Sequence, residues 1–393
     1  MSITILCLAS EYKGSEFFHA AKEEGLKVLL ITGADLKEEP WPHESLEDIF
    51  YVEQFGNRQE WNMPDVKAGL AHLLRSCKIE RIVALDDFDV EKAAELREHF
   101  RIGGMGQTTQ RHFRDKLAMR MKADEAGIPI PAFSALFNDQ DIVKYTEEVT
   151  APWVVKPRSA ATAEGITKIH NAEQLWEHLH RLGDERHEYL IEQFKPGTVY
   201  HVDGLSFNSK VLFARSSEYL ATPLEVSQGG IFRTAILPLG GKEDKALLSL
   251  NKKIQTVFGL KEGAFHAEFI RCNDDNKFYF LETASRVGGA HIAEMVEFSS
   301  NINLWAEWAR IESASILGKP YKLPKVANNY AGSVMSLSKY ETPDYSAFDA
   351  KEVCFKLDKK YHVGVIVKSK KRDKVLDLLD EYGVMIAKDF HVG

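Results

Sequence analysis

The sequence predicts an α/β protein that opens with a doubly wound, Rossmann-like parallel sheet and ends in a small α/β lobe. Three observations carry this reading. The first hundred residues alternate apolar runs with amphipathic helical segments, a strand-rich middle contains a long hairpin pattern, and the tail again mixes strands with one helix. At 393 residues the chain is too long for one typical core, so two to four lobes are expected.

Element by element, TILCLA is a continuous apolar run, GSEFFHAAKEEG is helical with Gly25 as its stop, and KVLLITG is a second strand. DIFYVEQF, a helix near Pro64–Cys77, RIVALDD and the helix DVEKAAELREHF continue the alternation, which argues for a parallel sheet covered on both faces. A nicotinamide site would need GxGxxG after the first strand; LASEYKGSEF offers one glycine, and GGMG at 103–106 follows HFRI instead. Residues 107–127 read as one helix ended by Gly127, with Pro129 and Pro131 beyond it. Its cations Arg111, Arg114, Lys116, Arg120 and Lys122 have the pattern of a solvated face.

Next, the strand WVVKP delivers Lys156 beside a loop of small residues, Ser159 to Gly165. This is either a phosphate clamp or a plain hairpin with an exposed lysine. Asn171 caps a helix whose core stripe is Leu175, Trp176, Leu179 and Leu182. EYLIEQF is a strand ending in Pro-Gly, and VYHVDGLSFNSKVLFARSSEY is a hairpin with Asn208-Ser209 at its tip and His201 and Asp203 on one face. TPLEVSQGGIFRTAIL reads as irregular and suited to a substrate loop, with Arg233 as its one cation. Helices over Lys242–Phe258 and Asn301–Leu317 flank the long hairpin. Pro320 and Pro324 mark a linker before strands near Tyr330–Ser336 and His362–Val367 and a helix over Lys371–Tyr382.

The hairpin GAFHAEFIRCNDDNKFYFLETASRVGG is the chemically informative stretch. Centred on Asp275, it places Glu268 opposite Glu282, with Cβ atoms about 4.5–5.5 Å apart. Two carboxylates at that separation repel by roughly 3 kcal/mol at an effective dielectric near 20. A solvated sheet edge, a protonated partner or a divalent cation would each relieve it. Oxygen-only ligands suit Mg²⁺ or Mn²⁺, whose shell is commonly completed by substrate phosphates and water. Arg286 and Gly288-Gly289 follow, a cation and a turn that admits close backbone approach to an anion.

Composition narrows the classes. The chain is 44% hydrophobic and 27% charged with a net charge of −8, which gives no general attraction to nucleic acid or to an anionic membrane. Cys7, Cys77, Cys272 and Cys354 show no CxxC spacing, as expected in a reducing cytoplasm. The opening apolar run is too short to span a membrane.

Together, RDKLAMRMKADEAGIPIPAF, WVVKPRSAATAEGI, YLIEQF, HAEF and FYFLETASRVGG resemble the ATP-grasp superfamily, in the expected order and across nearly the whole chain. The sequence looks most like its carboxylate–amine ligases and biotin-carboxylase-like members. The resemblance implies a Rossmann-like domain over 1–112, an ATP-grasp domain over 113–325 with a lid at about 128–195, and a C-terminal lobe over 326–393. It implies that Lys116 and Lys156 contact nucleotide phosphates beneath the Ser159–Gly165 loop. Glu192 would face the adenine amino group, with backbone from Gln193, Phe194 and Lys195 forming the hinge. Glu268 and Glu282 would hold magnesium (or manganese), and Arg286 would stabilise the transferred phosphoryl group or the acyl phosphate. Two positions depart from the family pattern. An asparagine is usual where Ala284 stands, and His266 should lie opposite it. The usual ribose-holding glutamate falls near Val199, so His201 or Asp203 would take over. The implied activity is ADP-forming ligation of a small carboxylate to an amine, with ATP and Mg²⁺, Arg233 being the candidate for the substrate carboxylate. Carboxylation through carboxyphosphate, as in biotin carboxylase or its purine-pathway relatives, is the alternative enzyme. A nucleotide-binding accessory protein without catalysis is the alternative of another class. Homodimers are common in the superfamily.

Overall fold

The computed structural model describes residues 3–56, 60–160 and 165–392. Its first unit is a four-stranded parallel sheet in the order β3-β2-β1-β6, built from β1 (Thr4–Ala9), β2 (Lys27–Gly33), β3 (Asp48–Val52) and β6 (Ile79–Ala84). A two-stranded ribbon, β4 (Gln54–Phe55) and β5 (Glu60–Trp61), branches from it. Strand alternation explains why the runs are apolar throughout. Ile5 and Cys7 pack with Phe17 and Phe18 of helix α1 (Ser15–Glu23). Leu6 and Leu8 pack with α2 (Met63–Leu73) and α3 (Val90–Phe100) on the other face. This is the doubly wound arrangement that the alternation predicts.

The expected helix over 107–127 is broken. A short α4 (Gln107–Gln110) and a single 3-10 turn precede α5 (Lys116–Glu125). Asp115 causes the break: its carboxylate accepts the Leu117 backbone N–H at 2.9 Å, so a new helix starts there. Lys116 is thereby the first residue of α5.

A second sheet, in the order β7-β10-β8-β9, comprises β7 (Phe133–Ala135), β8 (Trp153–Pro157), β9 (Thr167–Ile169) and β10 (Tyr189–Gln193), all antiparallel. Helices α6 (Asp139–Glu148) and α7 (Ala172–Leu182) close its core over Trp153, Val155 and Ile191.

The third sheet has eight strands. Its first half runs from the long strand β11 (Gly197–Phe207) through β12 (Lys210–Tyr219). These meet at Asn208 and Ser209, whose φ of 50° and 59° are those of a two-residue hairpin turn. The stretch expected to be irregular is ordered. Thr222 and Glu225 form a capping box for α8 (Pro223–Ser227), and β13 (Phe232–Ile236) then joins the sheet. Helix α9 (Lys242–Phe258) leads into β14 (Gly263–Cys272) and β15 (Phe278–Ala284), and α10 (Ile292–Ser300) and α11 (Leu304–Leu317) follow. The C-terminal strands β16 (Tyr330–Leu337), β17 (Val353–Lys356) and β18 (His362–Ser369) continue the same sheet through β13–β16 pairing. Helix α12 (Arg372–Asp389) covers their outer face.

One face of the central part of this sheet is sealed. Tyr200, Val202, Ala267, Phe269 and Phe280 pack on Leu247, Ile254 and Phe258 of α9 and on Met119 of α5. The opposite face carries the polar residues described next. Among the described residues no helix is long and apolar enough to cross a membrane.

Candidate functional site

Glu268 and Glu282 are cross-strand partners in the β14–β15 hairpin, as the sequence register predicts. The register then shifts between Glu268 and Phe269, leaving Leu281 as an extra residue. Without it Phe280 and Glu282, two apart, would share a face. The bulge reverses that parity, so Phe280 enters the core while Glu282 joins Glu268 on the open face. This reconciles the apolar run FYFLE with a functional carboxylate.

Glu282 Oε2 lies 2.9 Å from Lys116 Nζ, which also donates to the Ala160 carbonyl at 2.7 Å. Burial alone would raise the Glu282 pKa, but the adjacent Lys116, and then Lys156, hold it below the usual carboxylate value. Glu268 Oε1 accepts the Tyr219 hydroxyl at 2.8 Å and lies 3.4 Å from His266 Nε2. The pair itself is thus an all-oxygen donor set beside a lysine, which fits a hard divalent cation.

Lys156, at the end of β8, is 2.8 Å from Glu192 Oε2, and Glu192 Oε1 is 2.7 Å from Arg120 Nε. Arg120 is 0% exposed and Glu192 2%. The helix face expected to be solvated is therefore partly buried. Lys116, Arg120 and Ala123 recur at helical spacing, a signal that can be read only once the strand supplying Glu192 is known. Burial lowers the Lys156 pKa while Glu192 opposes that shift. With both carboxylate oxygens engaged, Glu192 has its side chain turned to these two cations.

In the stretch expected to form the hinge, Gln193 N donates to Ala132 O and Phe194 N to Pro152 O, at 2.8 and 3.0 Å. The Lys195 ammonium sits 4.8 Å from the Tyr279 ring centroid. Ser159 is half-buried beside Ala160, and Gly165 has a φ of 72°. Residues 161–164 between them lie outside the described residues.

Arg286 reaches into the N-terminal unit. Its Nε is 2.8 Å from Asp87 Oδ2, and Nη1 donates to its neighbour Val287 O at 2.9 Å. Asp87 follows β6 at the carboxyl edge of the parallel sheet, where doubly wound sheets present ligand-facing loops. Burial opposes ionisation of both groups, yet each stabilises the other's charge: the Asp87 pKa is lowered and that of Arg286 raised. The sequence reading missed Asp87, because RIVALDD reads simply as a strand and its turn.

His201 and Asp203 are both 0% exposed. His201 Nδ1 is 2.5 Å from Asp203 Oδ2, His266 Nδ1 is 2.8 Å from Asp203 Oδ1, and His201 Nε2 is 2.7 Å from Thr234 Oγ1. Both oxygens of Asp203 and both ring nitrogens of His201 already have partners, so neither side chain turns a free polar atom toward a ribose hydroxyl. His266 does lie opposite Ala284. Their ligand atoms are close enough to group around an ion, but Asp203 already bridges the two imidazoles.

The Arg233 expectation is corrected. Thr234 points to the polar face, so its neighbour Arg233 must point to the other. There it meets α12, with Nη1 2.8 Å from Asp380 Oδ1, on the far side of the sheet from Glu268. Two cavities, of about 400 Å³ against α11 and 330 Å³ beside the free edge of β6, contain none of the glutamates or lysines above.

A family model described as an ATP-grasp domain matches residues 149–294. An L-arginine-specific L-amino acid ligase from Bacillus subtilis is 27% identical over 246 residues, covering 61% of this chain. The match spans 59% of that relative's own length. Among solved structures, an L-amino acid ligase from Bacillus licheniformis superposes with a TM-score of 0.75 at 17% identity, covering 100% of this chain and 98% of that one. An N5-carboxyaminoimidazole synthetase from Staphylococcus aureus gives 0.72 at 16% identity, with 98% of each chain covered.

Proposed function

We propose, on the premise that this chain belongs to the ATP-grasp superfamily, that it is an ADP-forming ligase joining a small carboxylate to an amine. The observation that carries the reading is the bulged β14–β15 pair. It brings two carboxylates to one face, where Glu282 meets Lys116 of α5, and Lys156 of β8 and Arg286, after β15, lie within electrostatic reach of Glu282. Phosphoryl transfer needs little covalent help from a protein; it needs positioned positive charge around a transferring phosphate.

In this reading Lys116 and Lys156 face the phosphates of ATP. Glu268 and Glu282 would hold Mg²⁺ or Mn²⁺, which when bound neutralises phosphate charge. The Gln193–Lys195 backbone is the hinge against the base. The substrate carboxylate oxygen attacks the γ-phosphorus, ADP leaves, and the acyl phosphate is captured by an amine with release of phosphate. Arg286, held by Asp87, faces the charge that develops on the transferred group. In this reading the chain divides at 1–112, 113–325 and 326–393, with the N-terminal sheet contributing Asp87. The similarity to amino acid ligases supports amino acids as the first carboxylates and amines to try.

The test is ADP release from Mg-ATP across pairs of standard amino acids, with mass spectrometry of the products. Release that needs two amino acids and yields a dehydrated adduct supports the ligase. Release that needs only bicarbonate selects carboxylation instead. ATP binding without ADP release across the panel selects a non-catalytic nucleotide-binding role.

A further inference from the structure

Glu268 is held by one oxygen only. Tyr219 OH donates to Oε1 at 2.8 Å, and His266 Nε2 lies 3.4 Å from that same atom. No described residue hydrogen-bonds Oε2. The donors are themselves fixed. The Tyr219 ring is 7% exposed, lies 4.6 Å from the His201 ring at 38°, and meets Phe232 edge-on at 5.9 Å. His266 is anchored by Nδ1 to Asp203, and Asp203 in turn holds His201. Gly288, in the turn after Arg286, presses on this network: a Cβ there would stand 2.6 Å from Asp203 Oδ1.

A glutamate that binds an ion must give up rotamer freedom, and that loss weakens binding unless the side chain is already ordered. Donors that bind the non-ligating oxygen of a carboxylate supply such order. We propose that Tyr219 is a positioning residue for the divalent cation: its hydroxyl, aided by His266, fixes Oε1 of Glu268 and leaves Oε2 for the ion shared with Glu282. The inference rests on the reading of Glu268 and Glu282 as the cation pair. It adds the residue from β12 that sets their geometry. The ring contacts with His201 and Phe232 hold the side chain in place without its hydroxyl.

The experiment is titration of the full chain with Mn²⁺, following free Mn²⁺ by electron paramagnetic resonance, with and without ADP. Tyr219→Phe should weaken Mn²⁺ binding by about 10- to 100-fold with little change in the metal-free melting temperature. In a Glu268→Gln background the same substitution should add nothing, because Tyr219 acts through Glu268. His266→Asn, which shortens the side chain away from Glu268, is the second variant and should give a smaller loss in the same direction. Unchanged Mn²⁺ affinity in Tyr219→Phe and His266→Asn, with loss of binding in Glu282→Gln, overturns the positioning role alone. Unchanged affinity in Glu282→Gln as well overturns the cation reading, and this inference with it.

Discussion

Lys116 Nζ and Glu282 Oε2 are an ion pair at 2.9 Å, so a residue proposed for phosphate and a residue proposed for the cation neutralise each other. Binding of Mg-ATP would exchange this contact for two others, phosphate on the lysine and metal on the glutamate. The exchange predicts a specific metal effect. In Lys116→Met the Glu282 carboxylate loses its nearest cation, and a divalent ion becomes the best replacement. Mg²⁺ should raise the melting temperature of the variant more than that of the unaltered protein. Equal shifts in a thermal melt across a Mg²⁺ titration would sink the idea.

Glu192 stands between two buried cations, Arg120 and Lys156. Removing its charge leaves both uncompensated in a desolvated place, and breaking a buried pair in this way costs about 3–5 kcal/mol. Glu192→Gln is therefore expected to lower unfolding stability by that order in urea. Arg120→Met combined with Glu192→Gln should cost less than the two single losses added together. Strict additivity would mean that the contact at 2.7 Å carries little coupling.

Much of this was legible from the chain. The alternating first hundred residues specify the parallel sheet, because helix and strand periods are both written in apolar spacing. The Glu268–Glu282 opposition follows from the hairpin's turn residues alone. What the sequence could not show depends on parity and on distant partners. The Leu281 bulge changes which face Glu282 takes, and nothing local in FYFLE announces it. Arg233 was placed by its loneliness as a cation, whereas a strand with Thr234 facing His201 must turn Arg233 away. Arg120 looked solvated because its partner arrives from a strand some seventy residues later.

Asp87 and Arg286 join the N-terminal sheet to the turn after β15. If Arg286 works on the transferred group, its orientation matters to chemistry and little to nucleotide affinity. Asp87→Asn should lower the rate of ADP formation by about tenfold or more, the range seen when supporting residues are lost. ATP affinity by calorimetry should stay near its unaltered value. A parallel fall in affinity would instead place Arg286 on the nucleotide itself.

The Asp203–His266 pair predicts how stability depends on pH. Burial alone would lower the His266 pKa, but the adjoining Asp203, by charge and hydrogen bond, and then Glu268 raise it from 6.5 to about 10. Asp203 is correspondingly held below the usual carboxylate value by His266 and His201, against the effect of its own burial. In the folded state His266 keeps its proton where the unfolded chain has lost it. Its contribution is thus fully present below pH 6.5 and is lost as pH rises through about 10. Over that window the slope from this one proton is at most about 1.4 kcal/mol per pH unit. His266→Gln removes the titrating ring, so its urea stability should fall less steeply than that of the unaltered protein between neutral pH and pH 10. Parallel curves for the two proteins would show that the imidazole beside Asp203 is neutral in the fold.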